Sequence, residues 1–286
     1  MKLKKVLPFI LVLASIGSAA GGAAVFASEN DAAVYDCSME NAYVKLSVEQ
    51  DNMQGEYLRY NLDTVKGQLA SDNDDNKNLT YANFYSGYTT ININGQSYVY
   101  GRGSDESEPY FNASDKCHVS SQKFGDVVIE QKLSLAEGFT PGCDDMLRIS
   151  YKVINASDDD KIGVRILIDP MIHDDDKAKL SAGKADIVNE AVFSYENIPA
   201  YWSASNNATQ DISAYGKVNS SENAPDSIIF ADWDSVYDNV WDYNPDIDKQ
   251  ITDAAAALRW EPQTGASGKE YCAYYGVKNS ALADEA

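Results

Sequence analysis

The sequence predicts an all-β protein, an antiparallel β-sandwich in a single domain. Short apolar or alternating runs recur about every ten residues, with turn residues between them. No stretch sustains the 3.6-residue period of an amphipathic helix, and no internal repeat is present. Tyrosine, at 19 residues, is abundant enough to populate many strands.

The chain begins with Lys2, Lys4 and Lys5, an apolar run from Val6 to Ile16, and small residues ending at Val25-Phe26-Ala27. That is the pattern of a secretory signal peptide spanning 1–27. The run is too short to cross a bilayer, which takes about 20 apolar residues. The expected location is therefore secreted or cell-surface, without membrane insertion after cleavage. Residues 28–40 read as a flexible start, 41–277 as the sandwich and 278–286 as a frayed tail.

Within the sandwich, strands are expected at 42–48, 56–61, 117–123, 127–136, 188–195, 213–218, 227–231, 255–260 and 270–277. Asn94-Gly95 lies between alternating arms in 88–100, and Asn-Gly supplies the positive φ angles of a type I′ hairpin. Residues 101–115 read as loop, 178–185 as a short helix or loop, and 234–243 as one helical turn. The organising stretch is 147–176. Leu147, Ile149, Tyr151 and Val153 alternate with Arg148, Ser150 and Lys152, which indicates one buried face. Residues 162–168 are apolar on nearly every position, as in a strand covered on both sides. The polar cluster 155–161 between the two arms predicts a long hairpin at the centre of a sheet.

Charge narrows the partners. Lys2, Lys4 and Lys5 leave with the leader, so 20 of the 23 basic residues face all 44 acids, a formal −24. Such a chain repels nucleic acid and anionic membrane surfaces. It suits an exported protein that holds divalent cations, although a charge this large more often means only a solvated surface.

Four cysteines, Cys37, Cys117, Cys143 and Cys272, suggest disulfides in an exported chain. If 117–123 and 127–136 form a hairpin, the loop after it starts beside Cys117. That favours Cys117–Cys143, leaving Cys37–Cys272 to join the domain ends; buried thiols are the other reading.

Three constellations carry candidate chemistry. In a central hairpin, Asp144 and Asp145 would gather beside Asp169 and with Asp174, Asp175 and Asp176 at one rim. Converging carboxylates suit calcium, which takes six to eight oxygen ligands; a solvated acidic edge is the plainer reading. The spacing is not that of an EF-hand. Next, Trp202, Trp233, Trp241 and Tyr243 could form a sugar-stacking surface or pack as core. Trp260 reads as core. Last, His118, His173 and Glu261 are candidates for acid–base work, although no established hydrolase motif is present.

The segments DNDDNKNLTYANFYSGYTTININGQSYVYG, LRISYKVINASDDDKIGVRILIDPMIHDDD, NIPAYWSA, IIFADWDSVYDNVWDY and EYCAYYGV occur in this order. Together they resemble an uncharacterised all-β domain of large bacterial secreted and cell-surface proteins. The resemblance spans about Asp72 to Val277 and implies an exported bacterial protein; it implies no activity. Where related sequences carry Asp-Asn-Asp-Gly, this chain has His173-Asp174-Asp175-Asp176 and then lysine. A weaker similarity is to galactose-mutarotase-like supersandwiches, which implies a supersandwich-like architecture. The expectation is non-catalytic binding of a glycan or another envelope component, on a face joining Trp233–Tyr243 to Asp174–Asp176. The alternatives are a carbohydrate-active epimerase, lyase or hydrolase using His173 and a glutamate, or a structural module that buries its rings.

Overall fold

The structure is a computed structural model that describes residues 25–26, 37–51, 56–66, 72–81, 87–209, 211–218 and 224–278. Its first strands are β1 (Val25–Phe26), β2 (Cys37–Glu40), β3 (Val44–Asp51) and β4 (Glu56–Thr64). There follow β5 (Thr89–Ile93), β6 (Gln96–Val99), β7 (Ser104–Asn112), β8 (Cys117–Phe124), β9 (Val127–Ala136), β10 (Met146–Asn155) and β11 (Ile162–Ile168). The last are β12 (Lys179–Ala182), β13 (Ala185–Ile187), β14 (Ala191–Ser194), β15 (Tyr201–Ser205), β16 (Ser213–Lys217), β17 (Ser227–Asp232), β18 (Ala254–Gln263) and β19 (Glu270–Gly276). One short helix, α1 (Trp233–Asp238), lies between β17 and β18. Among the described residues no helix is long and apolar enough to cross a membrane.

These strands form three antiparallel sheets in a sandwich-like arrangement. The order is β1-β2-β3-β4 in the first and β13-β12-β15-β16-β19-β10-β9-β8-β7 in the second. The third runs β14-β17-β18-β11-β5-β6. One core joins all three. Leu147, Ile149, Tyr151 and Val153 of β10 share it with Ile162, Val164, Ile166 and Ile168 of β11 and with Leu46, Val48 and Leu62 of the first sheet. Each such aliphatic side chain, fully buried, contributes about 1.5–3 kcal/mol.

The six-stranded sheet is covered on its other face too. Leu167, Ile229, Ala231, Ala255 and Ala257 pack there under Val236 of α1, with Trp233, Tyr237 and Tyr243 against them. Two-sided cover is why β11 reads as a continuous apolar run. Arg165 interrupts that run yet is wholly buried. Its guanidinium donates to the carbonyls of Val236, at 2.5 Å, and Asn239, and so holds the end of α1 on the sheet. Burial holds its pKa below the usual arginine range, opposed by neighbouring Tyr88.

The central hairpin does not form. β10 pairs with β9 and β19, whereas β11 pairs with β18 and β5. The polar segment 156–161 is instead an arch between facing sheets, held where Asn94 donates to Asp160 Oδ1 at 2.8 Å and accepts from Lys161 N at 2.9 Å. An alternating arm and a nearly all-apolar arm have different cover, and that difference fits two sheets better than one hairpin. The Asn94-Gly95 turn forms as expected, with φ of 54° and 85°.

Other expectations are corrected. β7 lies in the expected loop 101–115; it is an outermost strand, polar and mostly exposed, so no apolar alternation marks it. β12 replaces the expected helix or loop at 178–185, β15 was not expected, and β2 occupies the end of the segment read as flexible. Apart from Val25–Phe26, the segment 1–27 expected as a signal peptide lies outside the described residues, as do 28–36 and 279–286.

Cys117, Cys143 and Cys272 are thiols, not half-cystines, so neither expected disulfide is present. Cys117 faces Ser134 across β8 and β9. The loop 137–145 leads into β10, on the opposite side of β9 from β8, and carries Cys143 to the Tyr43 hydroxyl at 3.4 Å. Cys272 lies 3.1 Å from the Arg148 guanidinium. The side chain of Cys37 lies outside the described residues.

Candidate metal centre and its cleft

Three neighbouring strands carry an aspartate at one edge of the six-stranded sheet. Asp169 follows β11, Asp232 ends β17 and Asp253 precedes β18. Pairing of Ile168 with Ala256 and of Asp232 with Ala254 brings these ends together. The segment after β11 folds back to the same edge through a tight turn. Ile172 N–H donates to Asp175 O at 3.0 Å and Asp175 N–H to Ile172 O at 3.1 Å, with His173 at φ 62°. Ala254 N–H then donates to Asp176 O at 3.3 Å.

The result is a carboxylate trio. Asp169, Asp176 and Asp253 each place an oxygen within 4.8 Å of the others, the one such group of acids, histidines or cysteines among the described residues. Asp169 is 3% exposed, and the other two are half-buried. Asp176 Oδ1 and Asp253 Oδ1 are buried atoms without a hydrogen-bond partner. Burial, then the charges of Asp176, Asp232 and Asp234, push the Asp253 carboxyl up to about 7, against the pull of Lys177. Burial and Asp175 raise Asp176 as well. Like charges this close favour a shared proton or a bound cation. Asp232 is engaged elsewhere, accepting from Thr252 N at 3.1 Å and Thr252 Oγ1 at 2.9 Å.

No family model matches this chain, and no curated protein matches it.

Beside the trio is an open cleft of about 480 Å3. Lys177 and Thr252, each adjacent in sequence to one of the acids, line it. Asn207 and Gln250 add amide groups, and Leu180, Ile187 and Ile251 supply the apolar wall. Asn207 fastens the cleft to the acidic loop: its N–H donates to Asp175 Oδ2 and its amide to Lys177 O, both at 2.6 Å.

Of the acids expected at the rim, Asp169 and Asp176 join the trio, and Asp144, Asp145, Asp174 and Asp175 do not. Asp175 is held by Asn207. Asp174 is 80% exposed and lies 3.4 Å from His173 Nδ1. Asp144 and Asp145 stand apart, in the loop before β10. Asp144 O accepts from Asn41 at 2.6 Å, and Asp145, wholly buried, accepts from Val277 N at 3.0 Å through its carbonyl. The physical reason is the arch. Hairpin partners lie about 4.8 Å apart, whereas facing sheets lie about 10 Å apart, so the start of β10 and the end of β11 do not meet. Asp253 is the residue that sequence reasoning missed. Its signal was available, since Ile168-Asp169, Ala231-Asp232 and Asp253-Ala254 all place aspartate at a strand end.

The aromatic candidates divide. Trp202 is fully buried, stacked on Tyr275 at 5.3 Å and edge-on to Phe230 at 5.8 Å. It lies over Gly216, where an added Cβ would meet the indole at 1.9 Å. Trp241 is buried over Gly163 in the same manner, at 2.7 Å. These two rings are core, because glycine on the underlying strand lets them lie flat. Trp233 is half-buried, 4.3 Å from the Tyr237 ring. Tyr243, also half-buried, donates its hydroxyl to Glu190.

Glu190 is 1% exposed and also accepts from Asp232 N at 3.2 Å, Asp246 N at 2.9 Å and Lys249 Nζ at 3.2 Å. Burial raises its pKa, but these donors outweigh burial and hold the carboxylate below its ordinary range. It latches the 239–250 crossing to β17.

The catalytic candidates do not share a site. His118 is wholly buried on β8, its pKa lowered by burial to about 3 although a hydrogen bond to Gln131 opposes the shift. His173 lies at the turn after β11, its carbonyl accepting from Asn78 Nδ2 at 3.1 Å. Glu261, on β18, pairs with Arg259 at 2.8 Å.

Proposed function

We propose that this chain is an exported, non-catalytic binding protein that takes calcium at Asp169, Asp176 and Asp253 and receives a glycan or another bacterial envelope component in the adjoining cleft. The observation that carries this reading is the convergence of three carboxylates within 4.8 Å. Calcium accepts carboxylate and carbonyl oxygens in flexible geometry, and a dication would replace the hydrogen bonds that Asp176 Oδ1 and Asp253 Oδ1 lack.

Bound there, the cation would tie the 169–178 loop to the start of β18. Lys177 and Thr252 would be fixed with it, and they stand at the cleft wall. Sugar hydroxyls would meet Asn207, Gln250 and Thr252, while the apolar face of a ring would meet Leu180 and Ile251. The leader-like N-terminus and the resemblance to bacterial surface domains support export. A glycan array probed with and without chelator tests the reading. It expects a signal that EDTA abolishes and calcium restores; a signal indifferent to EDTA removes the cation from the account, and no signal on any glycan removes the sugar.

A further inference from the structure

A second surface lies on the face of the nine-stranded sheet turned away from the core. Trp202, Ala214 and Tyr275 point inward, so their strand neighbours Tyr201, Tyr215 and Tyr274 point outward. Pairing sets Tyr201 opposite Lys217, Lys217 opposite Tyr274 and Tyr274 opposite Arg148. Four adjacent strands therefore present ring, cation, ring and cation in one row, roughly 14 Å long at about 4.8 Å per strand.

Phe139, from the loop after β9, stands edge-on to Tyr201 at 5.9 Å and to Tyr215 at 6.2 Å. Lys217 and Lys278 approach its ring from 5.9 and 5.7 Å. All four rings are half-buried. Arg148 is paired with Glu270 at 2.8 Å, but among the described residues neither lysine is in an ion pair. Lys217 also donates to the Gly138 carbonyl at 3.0 Å. On a chain of net charge −21, two ammonium groups that converge on one ring outside any ion pair offer a place for an anion.

We propose that this face docks an anionic polysaccharide. The tyrosine and phenylalanine rings take the apolar faces of the sugars. Lys217 and Lys278 pair with their carboxylate or sulfate groups, and the tyrosine hydroxyls bond to sugar hydroxyls. The proposal extends the glycan-binding reading to a second surface, which includes none of the carboxylate trio, and it requires no metal ion.

Affinity electrophoresis of the full chain in EDTA tests it, with hyaluronate, polygalacturonate or dextran sulfate in the gel. Neutral dextran and polyglutamate serve as comparisons. The expected result is retardation by at least one of the three anionic polysaccharides, weakening with salt, and little by dextran or polyglutamate. Lys217→Gln with Lys278→Gln should lower the affinity at least about tenfold, with circular dichroism and Tm unchanged, and Tyr201→Ala should lower it too. No retardation by any of the three overturns the proposal. So does equal retardation by polyglutamate, which would mark an acidic protein as the occupant, or undiminished retardation of the folded lysine variant. Persistence in EDTA separates this surface from the cleft, whose binding EDTA should abolish.

Discussion

Asp176 and Asp253 meet at one edge of the six-stranded sheet: the N–H of Ala254 donates to the Asp176 carbonyl at 3.3 Å, and both carboxylates lie within 4.8 Å of Asp169. The backbone contact fixes two acids that electrostatics alone would drive apart. A site that holds like charges together in the absence of a counter-ion is destabilised by them, and a cation reverses the sign.

Calcium affinity should therefore depend on pH. Burial and neighbouring acids raise Asp253 up to about 7, so below that pH calcium must displace a proton. Apparent affinity should fall steadily from pH 7.5 to 5.5, with proton release seen as a buffer-dependent heat in calorimetry. In calcium-free solution the sign is opposite for stability. The folded state holds this proton more tightly than the unfolded state, so the contribution is present below the unfolded pKa and lost as pH rises through about 7.

His118 should govern the acid limb of stability. Burial lowers its pKa from 6.5 to about 3, so the unfolded chain binds the proton first. Stability from this group is present above about 6.5 and lost as pH falls toward about 3, a change of order 5 kcal/mol. Urea unfolding at pH 7 and pH 4.5 should show a smaller drop for His118→Gln than for the parent chain. An equal drop would place the loss elsewhere.

The fold class was legible because the period-two pattern and the turn residues survive in most strands. Layer assignment was less so. Ile162–Ile168 announces cover on two sides, but nothing local says that the cover on one side is α1 and the crossing after it. The arch at 156–161 and a hairpin turn have the same polar composition, and only the pairing partners distinguish them. That error displaced the site: pairing β11 with β10 drew attention to Asp144 and Asp145, whereas pairing it with β18 would have drawn it to Asp253. Trp202 and Trp241 were ambiguous for a different reason, since their burial depends on Gly216 and Gly163 in strands remote in sequence.

Glu190 should be a structural carboxylate. Glu190→Ala leaves the buried Asp232 N–H without its side-chain acceptor and the Lys249 ammonium with Ser235 Oγ but no carboxylate, at a cost of about 3 kcal/mol in urea unfolding. Tyr243→Phe removes one donor and should cost about 1–2 kcal/mol. If Tyr243→Phe proved as damaging as Glu190→Ala, the latch would lie in the ring packing rather than in the hydrogen bonds.

Thiol titration should report the cysteines as unbridged. Without reductant, the unfolded chain should react at least at Cys117, Cys143 and Cys272. In the folded chain Cys272 should react slowly. It is 6% exposed, and burial, against the pull of Arg148, pushes its thiol up to about 11. A shift in mass or mobility on reduction would point to a bridge instead.

The most direct test of the carboxylate trio is isothermal titration of the full chain with calcium chloride at pH 7.5, beside Asp253→Asn and Asp169→Asn. The account predicts a saturable site in the parent chain and its loss in both variants. At a calcium concentration one hundred times Kd the parent should gain about 2.7 kcal/mol of stability that the variants do not. No saturable heat in the parent chain, or the same heat in both folded variants, would contradict it.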